Sequence, residues 1–271
     1  MKLYNPLSLA NLIRKKSYTI TVIAGCCLFA IIGVSEAYAV DMTIGATSWC
    51  SWAEQKSAGS SSDISAKSDP SLLFGPTLSV KISESFNLTF VYLYGKFNFD
   101  DSGNSFKSKR SDADLALNYR LSDYFKLFAG AKYLSFDMMQ VEYIYGSTPG
   151  DISINDSKHE FIGAGFGVTG TFPILENLFL LATLSGFSGW GTEKVDVSGS
   201  KNFSFNAGIN DYGINSTLSM AYYITSASTV ISLGGRYQYF KTKYAEDQFF
   251  PVSIKNNIYG ITLSAAYSFN I

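Results

Sequence analysis

Tyr259-Gly260-Ile261-Thr262-Leu263-Ser264-Ala265-Ala266-Tyr267-Ser268-Phe269-Asn270-Ile271 ends the chain on a two-residue rhythm. Tyr259, Ile261, Leu263, Ala265, Tyr267, Phe269 and Ile271 share one face, while Gly260, Thr262, Ser264, Ala266 and Ser268 share the other. Successive side chains of a β-strand point to opposite sides, so this pattern reads as a strand with one apolar and one small or polar face. A soluble sandwich would bury the apolar face, whereas a membrane barrel turns it to lipid.

Working outward, the same alternation recurs. Phe86, Leu88, Phe90, Tyr92 and Tyr94 oppose Asn87, Thr89, Val91, Leu93 and Gly95. Ala113, Leu115, Leu117, Tyr119 and Leu121 oppose Asp112, Asp114, Ala116, Asn118 and Arg120, so charge sits on one face only. Tyr212, Ile214, Ser216, Leu218, Met220 and Tyr222 oppose Asp211, Gly213, Asn215, Thr217, Ser219 and Ala221. Aromatics gather near strand ends, as membrane interfaces favour; Trp49, Trp52 and Trp190 are read as such anchors. Beyond residue 39 no apolar stretch is long enough for a spanning helix. With no water in the bilayer core every backbone N–H and C=O must be paired internally, and without helices only a closed barrel achieves this.

Short connections at residues 83–85, 122–124, 173–177 and 225–228 alternate with longer polar ones at about 51–71, 99–109, 138–157, 190–210 and 243–256. Short turns on one side and long loops on the other fit an all-β, transmembrane, antiparallel up-and-down barrel with the turns in the periplasm. The expected strands are 41–50, 72–82, 86–98, 110–121, 125–137, 158–172, 177–189, 211–224, 229–242 and 257–270. Ten strands follow, with eight as the alternative should residues 41–71 form a plug or tether and one further strand be lost or re-paired.

The N-terminus has the layout of an export signal. Lys2, Arg14, Lys15 and Lys16 precede an apolar run over about residues 18–34, and Ala37-Tyr38-Ala39 closes it. Cleavage between Ala39 and Val40 leaves a barrel domain of residues 40–271. A lipoprotein signal at Cys26 and an uncleaved helix are the rival readings. Loss of residues 1–39 removes four basic residues and Glu36 from 21 Lys/Arg and 22 Asp/Glu, leaving 17 against 21. A mildly acidic chain argues against nucleic acid as a partner. Cys50 alone of the three cysteines remains, so neither an internal disulfide nor a cysteine-based metal site is expected, and no cofactor is.

These features resemble the small outer-membrane β-barrel proteins of Gram-negative bacteria across the whole mature chain. Leu263, Tyr267, Phe269 and Ile271 are similar to the terminal signal read by the barrel-assembly machinery, although that signal usually ends in Phe and here ends in Ile271. The resemblance implies residence in the outer membrane, with lipid, lipopolysaccharide and the assembly machinery as partners.

By parity Lys81, Asp112, Asp114, Arg120, Lys126, Lys132 and Arg236 point into the lumen. Mixed signs in a narrow space suggest pairing, because buried charges are tolerated when paired and hydrogen-bonded. By strand height, Lys132 is the expected neighbour of Asp112 and Asp114, whereas Arg120 and Lys126 fall near the turn at Ser122. Asp112 and Asp114 also resemble the Asp pair of the omptins, ten-stranded outer-membrane proteases whose site sets an Asp pair opposite an Asp-His pair. The match is incomplete: His159 is the sole histidine, and positions 157 and 161 are Ser and Phe. Gly165, Gly167 and Gly170 fit the dinucleotide fingerprint, but Thr171-Phe172-Pro173 follows where a helix should start. The sequence therefore favours a non-enzymatic barrel with a structural or surface-interaction role through its loops. A narrow channel is one alternative, and an omptin-like or lipid-modifying enzyme is another.

Overall fold

Antiparallel pairing between neighbouring strands organises the computed structural model, which describes residues 41–58, 64–101, 104–141, 153–198, 203–244 and 253–271. The expected cleavage point at Ala39 and Val40 lies outside the described residues. The strands are β1 (Asp41–Ala58), β2 (Ile64–Ser68), β3 (Ser71–Lys81), β4 (Phe86–Asp101), β5 (Asn104–Arg120), β6 (Phe125–Val141), β7 (Ser153–Leu175), β8 (Leu178–Ser198), β9 (Phe203–Ile224), β10 (Thr229–Tyr244) and β11 (Ser253–Asn270). A single 3₁₀ turn, Thr225–Ala227, separates β9 from β10.

Eleven segments make a ring of ten. β2 and β3 both lie between β1 and β4, so they are one barrel strand interrupted at Asp69-Pro70. Proline has no N–H to give to a ladder, and Asp69 N–H bridges the break by donating to the Asn98 carbonyl at 2.9 Å. β11 pairs back with β1. Across that seam the Thr43 and Ser268 hydroxyls lie 2.9 Å apart, and Ser48 Oγ donates to the Leu263 carbonyl at 3.2 Å. Closure removes the unpaired edges that an open sheet would present.

Two of the short turns are built alike. In each a serine hydroxyl accepts from two following N–H groups: Ser83 from Ser85 and Phe86, and Ser122 from Tyr124 and Phe125. In each the residue before the turn pairs with an acid three positions on, Lys81 with Glu84 at 2.8 Å and Arg120 with Asp123 at 2.5 Å.

Parity follows the expected faces. Leu263 is 50% exposed and Thr262 8%. Leu72, Phe74, Phe166, Leu184, Leu218, Leu233 and Ile261 form an exposed outer band. So much outward apolar surface suits lipid, not water.

Two expectations are corrected. Strand extends into each of the five longer connections wherever their residues are described: β1 runs on to Ala58, β5 begins at Asn104, β7 begins at Ser153, β8 runs to Ser198, β9 begins at Phe203 and β11 begins at Ser253. Apart from the buried Glu193, these extensions carry charge outward and apolar or small residues inward, opposite to the pattern in the band, so the lipid-facing alternation does not reveal them. Trp49 is the second correction. It faces inward and is fully buried, while Trp190 points outward and Trp52 stacks on Tyr259 with centroids 6.1 Å apart.

Candidate functional site in the barrel lumen

The inward side chains of the loop-side half fill the barrel. Trp49, Leu73, Leu93, Phe97, Leu134, Phe161, Phe240 and Ile258 form one buried cluster. Each fully buried side chain of this size contributes roughly 1.5–3 kcal/mol relative to exposure to water. Gly163 makes room for part of it, since a Cβ there would come within 2.5 Å of the Phe161 ring.

A charged group is set against this apolar layer. Arg110, Asp112 and Asp114 alternate along β5 and so share its inner face, and the β5–β6 register puts Lys132 directly opposite Asp114. Lys132 Nζ donates to Asp112 Oδ1 at 2.6 Å and to Asp114 Oδ1 at 2.9 Å. Arg110 is fully buried; its Nη2 donates to Asp112 Oδ2 at 2.7 Å and also to Gln238 Oε1. The Arg110 guanidinium lies 5.5 Å from the Trp49 ring and 5.2 Å from the Phe136 ring, within cation–π range. Arg236 reaches Asp112 Oδ2 at 3.8 Å, donates through Nε to Asn215 Oδ1 at 3.1 Å, and lies 4.5 Å over Trp49.

A second polar group sits toward the loops. His159 on β7 is directly opposite Glu193 on β8. Its Nε2 is 2.7 Å from Asp211 Oδ2 and its Nδ1 is 3.6 Å from Glu193 Oε2. Glu193 also accepts from Ser157 Oγ at 3.2 Å and from the Tyr244 hydroxyl at 2.7 Å. Phe136 lies between the two polar groups: it meets His159 edge-on at 6.1 Å, stacks on Phe240 at 5.7 Å and faces Arg110. Ser157 directs its hydroxyl to a carboxylate and both imidazole nitrogens face carboxylates. This geometry locks these side chains together.

On the turn side of this plug is a partly open cavity of about 310 Å³. Asp114, Lys132 and Arg236 line its inner end, Phe128 and Phe187 its apolar wall, and hydroxyl and amide side chains much of the rest.

Of the residues singled out from the sequence, the structure brings together Asp112, Asp114, Lys132 and Arg236. Arg120 and Lys126 stand apart, exposed at the turn-side rim, with Arg120 held by Asp123. Leu263 and Tyr267 face outward, and Tyr267 stacks on Phe269 at 5.8 Å. The dinucleotide-like glycines lie within β7, which continues as strand to Leu175. Arg110, Gln238, Glu193, Asp211 and Trp49 were missed. A search for an aspartate two residues from His159 cannot find Asp211, because that partner comes from β9, two strands away.

Comparison with solved structures places this architecture. The chain is similar to the outer-membrane protease OmpT of Escherichia coli, with 13% identity, 86% of this chain and 98% of that one covered, and a TM-score of 0.56. The fold is that of outer-membrane β-barrels. The translocator domain of the autotransporter NalP from Neisseria meningitidis is matched at 10% identity over 94% of this chain and 98% of that one, with a TM-score of 0.43. The Pseudomonas putida toluene transporter TodX is matched at 10% identity over 86% and 90%, with a TM-score of 0.37. No protein-family model matches the chain, and no curated protein matches its sequence.

Proposed function

We propose that this chain is a closed, non-conducting outer-membrane barrel that acts through its loop-side surface, in a structural or surface-interaction role, and not by passing solute or catalysing a reaction. The observation that carries this reading is the plug. Trp49, Leu73, Leu93, Phe97, Arg110, Leu134, Phe161, Phe240 and Ile258 are all below 2% exposed. Eight strands leave an interior that side chains can just fill, and wide aqueous pores need about sixteen. Ten strands leave slightly more room, and here large aromatics occupy it. Around the plug the outer faces of β7 and β8 carry the ion pairs Lys158–Glu160 and Lys194–Asp196, whose lysines are exposed, which suits a collar standing in water.

The same burial weighs against catalysis. Asp112 is tied to three cations, His159 is clamped between two carboxylates, and Phe136 and Phe240 separate the two groups, so among the described residues no single cleft brings both together. Planar-bilayer recording on the purified, folded protein tests the proposal. The expected result is no conductance steps at any voltage; a steady conductance from the wild-type protein overturns it.

A further inference from the structure

We infer that the turn-side cavity is a binding site for a small monocarboxylate with a compact apolar body, its carboxylate held by Arg236. This goes beyond the proposed role of the loop-side surface and does not depend on it. Size is the first argument. An engineered apolar cavity of about 150 Å³ already holds benzene, and this one has about 310 Å³.

Charge is the second. Among the described residues the group at the inner end of the cavity has three cations, Arg110, Lys132 and Arg236, for two carboxylates, Asp112 and Asp114. Asp112 is shared by all three, at 2.6 Å from Lys132, 2.7 Å from Arg110 and 3.8 Å from Arg236. Asp114 is engaged by Lys132 at 2.9 Å. The other buried carboxylates, Glu193 and Asp211, are engaged with His159. Arg236 thus has the weakest anionic compensation in its group, holding one long contact to Asp112, one neutral partner, Asn215, and the face of Trp49.

Position is the third argument. Arg236 lines the cavity, with its side chain 9% exposed. A cation held away from bulk water gains most from a paired anion, and the guanidinium fork fits a carboxylate in a bidentate way. Phe128 and Phe187 offer an apolar wall to the rest of the ligand. Asp114 also lines the cavity and keeps about a third of its side chain exposed. Its repulsion favours a monoanion placed on the Arg236 side over a doubly charged phosphate.

The test is calorimetric titration of the folded protein, in an uncharged detergent, with benzoate, benzamide and benzylamine. Benzoate should bind at a single saturable site, and the neutral and cationic analogues at least about tenfold more weakly, the size of a lost charge-assisted hydrogen bond. Arg236→Gln should weaken benzoate by a similar factor. Ala116→Phe, which fills the cavity and leaves every charge in place, should abolish binding, and it decides the matter should Arg236→Gln fail to fold. Trp190→Phe, on the outer surface, should leave binding unchanged. The inference is overturned by absence of saturable benzoate binding at millimolar concentration, by benzamide binding equally, by a preference for benzylamine, or by benzoate binding that survives Ala116→Phe.

Discussion

On β9, Leu218, Met220 and Tyr222 point outward and are about half exposed, while Ser219 and Ala221 point inward and are buried. Earlier on the same strand the sides are exchanged: Ala207 and Ile209 are buried and inward, and Asn206, Gly208 and Asn210 are exposed. β5 repeats the exchange, with Tyr119 and Leu117 outward near the turn and Phe106 inward near the loops. No register slip is needed, because the strand keeps its parity while its surroundings change. In the bilayer the outside is hydrocarbon, so apolar side chains face out and the interior can stay polar and partly empty. Beyond the bilayer the outside is water, and the section folds like a small soluble barrel around Phe97, Phe161 and Phe240. The charged group of Arg110, Asp112 and Lys132 marks the boundary between the two regimes.

That comparison breaks first at the boundary. Lys132→Ala leaves Asp112 with one fewer close cation and Asp114 with none of the ion pairs seen here. Removing one partner of a buried pair costs about 3–5 kcal/mol, since the other charge is stranded. The folded band in a heat-dependent gel-shift assay should therefore convert at markedly lower temperature. Adding Asp112→Asn and Asp114→Asn should recover part of the loss, because the stranded charges go too. If Lys132→Ala melts like the wild type, the boundary layer is wet and the plug is not the sealed section described.

β9 sharpens the comparison with four arginines in a single strand. Leu218→Arg puts a cation on the lipid face and should cost about 2–4 kcal/mol. Ile209→Arg forces a long cation into the filled plug, where the neighbouring acids Asp211 and Glu193 are already engaged by His159, and should cost about 3 kcal/mol or more. Asn210→Arg enters water and should stay within about 1 kcal/mol, whereas Thr217→Arg enters the polar cavity directly opposite Arg236 and should cost somewhat more than Asn210→Arg but less than Leu218→Arg. Inward and outward thus exchange sensitivity within eight residues. Urea unfolding from lipid vesicles measures all four, and a constant preference for one face along the whole strand would disprove the two-regime reading.

The same exchange explains what the sequence made legible. Every strand core within the bilayer could be read, because lipid demands an apolar face, which Tyr259 to Ile271 display without interruption and Tyr212 to Tyr222 with Ser216 as the one exception. The strand extensions could not. Ser-Phe-Lys-Ser-Lys-Arg at 105–110 looks like a polar loop when the apolar residue is sought outside, though Phe106 and Arg110 are both buried within. The juxtaposition of Lys132 with Asp112 and Asp114 was reachable from parity and strand height, since neighbouring strands around one turn fix their own register. His159 with Asp211, and Arg110 with Gln238, were not, because their strands are not consecutive and only barrel closure and curvature bring those faces together. Trp49 was misplaced for a simpler reason. Tryptophan near a strand end suggests an interface anchor, and nothing in the local sequence shows that Arg110 and Arg236 wait opposite its ring.

The smallest effect is expected at Arg120, which carries the same kind of charge as Arg110 on the same face of the same strand. Ten residues of β5 separate them, and their surroundings differ completely. Arg110 is fully buried and holds Asp112 and Gln238 between aromatic rings. Arg120 is half exposed, and its partner Asp123, 2.5 Å away, is 81% exposed. Water already solvates both members of the outer pair, so their attraction is offset by desolvation and by the entropy of holding two side chains still, and such pairs contribute about 0–1 kcal/mol. The turn does not depend on it either, because Ser122 Oγ accepts from the N–H groups of Tyr124 and Phe125 whether or not Arg120 is present. Arg120→Ala should therefore shift urea unfolding by less than about 1 kcal/mol, and added salt should shrink even that difference. A loss as large as that of Lys132→Ala would mean that the turn-side rim is closed off from water, and the cavity above it with it.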